Sequence, residues 1–307
     1  MKSTATATPA ITAPRFIREA IRAAFDQMNA QQDATNLETG RPIINSRTRQ
    51  KLGTLAPILD DIDAGKRITT ARQIEALACL HISENMTGKL EDVNAISTAS
   101  SVNPICQVRA KDCTSICSHC FALLTLDRYT DLEQAAIINL VVLNAMIYSK
   151  AAWKAVRIPA SDAGDIFRIE AFGDTASAIQ AANYVIMAET HRHIKSFGIW
   201  SKNLGFWATA FDALGKPRNI IFTASSPIMN TPVEIPERFK WFVDHVFTVY
   251  DAAHALAEEI GINCGTRKCA NCRRCYKRTT ETAVNEIVKA DAKKYYKAIG
   301  QEFTGRK

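Results

Sequence analysis

The hydrophobic positions of this chain change period once. From Phe16 to Met28 they fall at helical spacing, with Ile17, Ala20, Ile21, Ala24 and Phe25 between them. Two further helical stretches run from Lys51 to Ile62 and from Ala71 to His81, and Thr69 or Thr70 offers a cap for the latter. Residues recurring every three to four positions mark one buried helix face. Asp33 to Ser46 is polar and loop-like. Residues 15–92 therefore predict a small helical region, behind a Thr-, Ala- and Pro-rich tail over 1–14 that is expected to be flexible.

Beyond that region short β-rich runs alternate with helical stretches. The predicted strands are Asn94–Ser100, Ile166–Phe172, Phe197–Ser201, Asn219–Ala224 and Val246–Tyr250. Predicted helices between them are Leu132–Val156, Ala176–Thr190, Phe206–Leu214 and Glu237–Val243. Such alternation argues for parallel strands covered by helices. The expected fold class is α/β, a partial or closed (β/α) barrel over residues 93–280. Residues 281–307 are expected to add a basic amphipathic helix, Glu281 to Phe303. The longest apolar run, Ala135 to Tyr148, is broken by Asn139 and Asn144 and is shorter than the roughly 18 residues of a membrane span. The first residues lack an apolar core after a basic start. No membrane association and a cytoplasmic location are expected.

Composition narrows the class without naming a function. With 47% hydrophobic and 22% charged residues in 307, the chain is neither collagen-like nor a disordered polymer. The net charge of +7 permits a polyanionic partner but does not demand one. The densest basic segment, with Arg267, Lys268, Arg273, Arg274, Lys277 and Arg278, reads equally as a solvated face or a nucleic-acid contact. Phosphate-loop, dinucleotide and Gly-x-Ser-x-Gly motifs are missing from the sequence, which removes support for kinases, dehydrogenases and serine hydrolases.

The strongest chemical signal is in the cysteines. Eight of nine fall into two groups: Cys106, Cys113, Cys117 and Cys120, then Cys264, Cys269, Cys272 and Cys275. In a reducing compartment such clusters point to metal rather than to disulfides. Zinc takes four thiolates, usually as two separated pairs. Successive gaps of two residues, as in Cys269, Cys272 and Cys275, suit an iron–sulfur cluster. Cys79, inside a helical pattern, reads as an inert buried thiol. His191 and His193 read as cations at a helix end, and Trp200, Trp207 and Trp241 as core packing.

Ligands of α/β sheets gather at the carboxyl ends of the strands. Those ends carry Ser101 and Asn103, then Gly173 and Asp174, then Ser201, Lys202 and Asn203, then Ser225, and last Asp251. Gly173, Asp174, Ser201, Lys202, Asn203 and Ser225 form the candidate cofactor-binding set. Both cysteine groups are expected on this same face, each foursome converging.

Two resemblances bear on these residues. Cys113-x3-Cys117-x2-Cys120 after a first strand resembles the cluster motif of radical S-adenosylmethionine enzymes. That likeness implies three cysteines on a [4Fe–4S] cluster, with the fourth iron binding S-adenosylmethionine. It also implies an acidic motif after the second strand touching the cofactor's amino group, which Gly173-Asp174 matches loosely, and an electron donor. The span from Ser97 to Tyr276 looks similar to the phage and plasmid gene product 88 family. That likeness rests on Asn103-Pro104-Ile105-Cys106, Cys117 to Ala122, Arg168 to Asp174, Trp200 to Asn203 and Cys264 to Cys275. It implies a phage or mobile-element origin and no particular reaction. With Cys106 outside the first centre, the site is open and the second centre is auxiliary. With Cys106 inside, the site is closed, and a non-catalytic protein with two four-cysteine sites of zinc or iron–sulfur follows, one that binds nucleic acid through its basic segment.

Overall fold

The computed structural model describes residues 11–37, 39–265 and 267–301. It opens with three helices, α1 (Arg15–Ala30), α2 (Ser46–Asp63) and α3 (Thr70–Ala78). Ile17, Ile21, Ala24, Phe25 and Met28 are buried on α1, the face the spacing predicts. Asn45 and Thr69 cap α2 and α3 by accepting from the N–H groups of Thr48 and Arg72. The expected tail lies outside the described residues as far as residue 10. Its end is tied down, with Ala13 buried and Ile11 against the core.

Six strands follow: β1 (Asn94–Ile96), β2 (Ile166–Ile169), β3 (Ser196–Ser201), β4 (Ile220–Ser225), β5 (His245–Tyr250) and β6 (Ala283–Ile287). All pairs are parallel, and their order in the sheet is their order in the chain. Parallel neighbours require crossovers, and helices supply them. α4 (Pro104–Lys111), α5 (Phe121–Arg128), α6 (Thr130–Ala145) and α7 (Lys150–Ala155) separate β1 from β2. α8 (Ala178–Thr190), α9 (Leu204–Leu214) and α10 (Glu237–Lys240) serve the next three connections. α11 (Ala252–Ala257) and α12 (Cys269–Cys272) precede β6, and α13 (Ala292–Ala298) follows it. The α/β class is as expected: a sequential parallel ladder of the partial-barrel kind, not closed by hydrogen bonds.

One face of the ladder carries Phe167, Ile169, Phe197, Ile199 and Phe222 into a core shared with α6, α8 and the N-terminal helices. Helix α6 is apolar on all sides because it is buried on all sides, between the ladder and α1 and α2. Two of its buried polar residues are clamps. Asn139 donates to the carbonyls of His81 and Ser97, and Asn144 donates to Gln180. The opposite face of the ladder lines an interior.

Three expectations change. The helix expected over 281–307 is a strand in its first part: Ala283–Ile287 pairs with β5 in parallel, with Val284 and Ile287 buried. Only Ala292–Ala298 is helical, and residues 302–307 lie outside the described residues. The helix expected from Leu132 to Val156 breaks after Ala145, where Met146 is extended and the Asn183 amide holds Met146 and Tyr148. Strand β1 stops at Ile96 because its backbone partners become side chains: Asn139 takes the Ser97 carbonyl and Glu170 the Thr98 N–H.

An unclosed ladder has two edges, and free edges invite pairing with other chains. Each edge is covered. Ser83 exchanges two backbone hydrogen bonds with Ala95 of β1, both 2.8 Å. Cys264 bridges the outer side of β6 beside Glu286. Across the seam, Lys89 reaches Glu286 at 2.6 Å and Lys268 reaches Glu91 at 2.5 Å. The interior is filled from one end by Tyr276, which fits because β3 carries a glycine at that height. A Cβ on Gly198 would stand 2.6 Å from Tyr276 Cε1 and 3.0 Å from Trp200. Gly198→Ala is therefore expected to destabilise the fold by about 1–3 kcal/mol through overpacking. Urea unfolding checks it, and an unchanged midpoint would mean that Tyr276 is not seated against β3.

Candidate functional site

The interior holds a cavity of about 740 Å³, within the size range of small-molecule sites. Arg168, Trp200, Ser225, Phe247 and Glu286 line it from the strands, and Glu170 borders it just past β2. Seven of the eight clustered cysteines border it: Cys106, Cys117, Cys120, Cys264, Cys269, Cys272 and Cys275. Cys113 is exposed and does not line it.

The two cysteine groups meet this cavity from opposite ends. The first follows β1 and is pinned over the carboxyl ends of the strands, where Ile116 N–H and Ser115 Oγ both donate to the Pro227 carbonyl beyond β4. The second lies at the amino ends. Arg273 binds Asp165 and the Ala163 carbonyl just before β2. His245, at the start of β5, contacts the Lys277 carbonyl at 2.7 Å. Arg278 holds Asp244 and the Arg218 carbonyl. The expectation that both groups share one face is thus corrected. The physical reason is the missing closure: the connection from β5 to β6 folds under the barrel and plugs it.

That plug also uses the basic charge. Lys268, Arg273, Arg274 and Arg278 pair with Glu91, Asp165, Glu281 and Asp244. Lys268, Arg273 and Arg278 tie the segment to the barrel floor, and Arg274 pairs within the segment with Glu281.

All nine cysteines are free thiols. Burial raises the Cys264 thiol to about 11 against the opposing pull of Lys89, and it raises Cys275 to about 12 with help from neighbouring Cys264. Cys269 is raised in the same way. Cys106 is pushed well above the ordinary thiol range by burial and then by Asp174, against Lys202. A metal taken by these sulfurs must displace protons. The donor chemistry fits a thiolate-bound metal. The side-chain positions stop short of one, since among the described residues no three His, Cys, Asp or Glu side chains converge on a common point. The expected convergence of each foursome is reduced to a shared cavity. Cys79 is buried in the helical region, raised to about 11 by burial, and is inert as expected.

The polar residues expected at the strand ends do assemble. Asp174 is buried and accepts from Ser201 Oγ at 2.6 Å, the Lys202 N–H at 3.0 Å and Arg109 at 3.2 Å. Asn203 donates to the Thr175 carbonyl and accepts from Arg109. Asn103 caps α4 and donates to the Asp174 carbonyl. These bonds lock the loops after β1, β2 and β3 together at the cavity mouth. Gly173 has φ +79°, and a Cβ there would meet the Thr98 carbonyl at 2.4 Å, so only glycine lets the first two loops touch. Ser225 lines the cavity from the end of β4. Asp251 instead caps α11 and binds Asn230.

Arg168, Glu170 and Arg109 escaped the sequence reading. A signal was there. Strands of parallel sheets are usually apolar throughout, yet Ile166-Phe167-Arg168-Ile169-Glu170 places two charges two apart. Glu170 stands in the left-handed region at φ +56°, strain that concentrates at functional sites. Its buried carboxylate accepts from Thr98, Gln180 and Tyr184, the last at 2.6 Å. Burial raises it to about 7 against the pull of those hydrogen bonds, with Asp174 adding to the rise. Among the aromatics, Trp207 is core while Trp200 faces the cavity and Trp241 is largely exposed. His191 is buried beside Trp153 and pressed toward its neutral form by burial, which corrects the expected cation.

Comparison with protein-family models, with curated proteins and with solved structures returns no match for this chain.

The Glu170 carboxyl predicts a pH dependence. Below its ordinary value near 4.5 the group is neutral folded or unfolded. As pH rises from there to about 7 the unfolded chain ionises first, so stability falls across that window by up to about 3 kcal/mol. Glu170→Gln is expected to flatten this slope, at a lower overall level because three side chains donate toward the carboxylate. Chemical denaturation at several pH values reads it, and an unaltered slope in the variant would remove Glu170 as its source.

Proposed function

We propose that this chain is an iron–sulfur enzyme of the radical S-adenosylmethionine kind, acting on a small-molecule substrate in the interior cavity. One observation carries the reading. The Cys113-x3-Cys117-x2-Cys120 segment follows β1 and sits over the carboxyl ends of a sequential parallel ladder, on a cavity that a second cysteine group reaches from below. The first centre would be held by Cys113, Cys117 and Cys120, the auxiliary one by Cys264, Cys269, Cys272 and Cys275. When bound, such a cluster with S-adenosylmethionine supplies the electron and the radical chemistry.

The chain's own residues bind, orient and exclude water. Gly173 and Asp174 shape the mouth where a cofactor's amino and carboxyl groups would rest, and Ser201, Lys202 and Asn203 hold that loop in place. The plug ending in Tyr276 closes the floor against solvent. The Glu170 carboxyl, buried against Thr98, Gln180 and Tyr184 behind the cavity wall, can hold or release a proton near neutral pH. The resemblance to the gene product 88 family supports a phage or mobile-element origin, and the free thiols suit a reducing cytoplasm.

A second reading has an observation of its own. Cys106 shares the cavity wall with Cys117 and Cys120, while Cys113 stands outside. With Cys106 added to Cys113, Cys117 and Cys120 the centre has four thiolates and is closed, which favours a structural or electron-passing protein.

Anaerobically isolated protein is expected to be coloured and to contain iron with acid-labile sulfide. Cys117→Ala should lose both the first centre's iron and S-adenosylmethionine binding, whereas Cys106→Ala keeps them and Cys264→Ala loses only the second centre. Stoichiometric zinc without sulfide, or equal loss in Cys106→Ala and Cys117→Ala with no cofactor binding by the wild type, would sink the enzyme reading.

A further inference from the structure

Arg168 is a charge without a counter-charge. It rises from the middle of β2 into the cavity, between Glu170 toward the mouth and Tyr276 on the floor. Its guanidinium lies flat on the Trp200 ring, 3.2 Å from the centroid, and Trp200 in turn meets Tyr276 edge-on at 5.8 Å. Nε donates to the Glu170 carbonyl at 3.3 Å. Among the described residues neither Nη1 nor Nη2 has a hydrogen bond or an ion pair.

The nearest ionisable groups, Tyr276, Cys269 and Cys275, are held protonated by burial, and the carboxylates do not supply the missing partner. Among the described residues three carboxylates border the cavity; Asp174 is taken by Arg109 and Glu286 by Lys89. Glu170 points its oxygens away, at Thr98, Gln180 and Tyr184. Eight lysines and arginines line the same wall. Arg168 is only partly exposed, and stacking on Trp200 satisfies the face of its guanidinium but leaves its edge open to the cavity. The edge is a planar fork of two N–H pairs, which matches two oxygens of a carboxylate or phosphate.

We propose that Arg168, held flat by Trp200, is the anion-recognition residue of the cavity and that the substrate carries a carboxylate or phosphate group that docks there. This names the substrate class for the cavity of the proposed function. It is tested without turnover, so its failure is separable from the iron and sulfide result.

The experiment titrates the full chain with benzoate, phenyl phosphate and neutral benzamide, followed by calorimetry. One anion per chain is expected to bind, benzamide at least tenfold more weakly, and the tighter of the two anions identifies the head group. Arg168→Gln should weaken anion binding at least tenfold. Arg168→Lys keeps the charge but not the fork and should fall between them. Circular dichroism monitors folding, and if neither variant folds the wild-type ligands still decide. Equal binding of benzamide and benzoate, no anion binding, or an undiminished Arg168→Gln would overturn the assignment. So would displacement of the anion by S-adenosylmethionine, which would give Arg168 to the cofactor. Loss of anion binding once iron is loaded would make Arg168 the counter-charge of the second centre and overturn it equally.

Discussion

Six parallel strands that stop short of closing must still bury an interior and two edges, and the rest of the architecture answers that constraint. About eight strands make a barrel whose own side chains fill it. Here the ladder has six, and its first and last strands do not pair. The connection before β6 turns under the strands and inserts Tyr276 against Gly198, while Lys89–Glu286 and Lys268–Glu91 bridge the seam. The cavity is what remains above that plug. Its existence, its charge and its two cysteine walls all follow from incomplete closure.

The same constraint divides labour between the two ends. At the carboxyl ends, Asp174 gathers Ser201, Lys202 and Arg109 into one lock across three loops. At the amino ends, arginines and lysines are paired with carboxylates that precede the strands. One end is a polar mouth and the other a floor held by ion pairs. Arg168 sits between them on the cavity side of β2, while Glu170, just past its end, turns its carboxylate to Thr98, Gln180 and Tyr184.

Much of this was legible in the residues. Short β-rich runs mark strands β2 to β5, since parallel strands covered on both faces are mostly apolar. The polar strand ends were found because ligand-side loops carry Gly, Asp, Ser and Asn in place of apolar residues. Strand β6 was not found, because its segment is only half-buried and its Asn285 and Glu286 mimic a helix surface. The placement of the second cysteine group was hidden for another reason. Spacing reports which sulfurs are neighbours in sequence, but the choice of barrel end depends on Arg273 reaching Asp165 and Arg278 reaching Asp244, partners scattered along the chain.

The sequential order of the ladder has a consequence for how the chain reaches this state. Each strand docks on the one synthesised just before it, so most pairings join nearby sequence and can form as the chain emerges. Closure is the exception. The seam joins Lys89 to Glu286 across 197 positions and Lys268 to Glu91 across 177. Loop-closure entropy makes such contacts late. Until the last strand leaves the ribosome, the edge of β5 stays unpaired and the cavity has no floor, so the nascent protein passes through an open, adhesive stage in which its interior thiols are reachable from below.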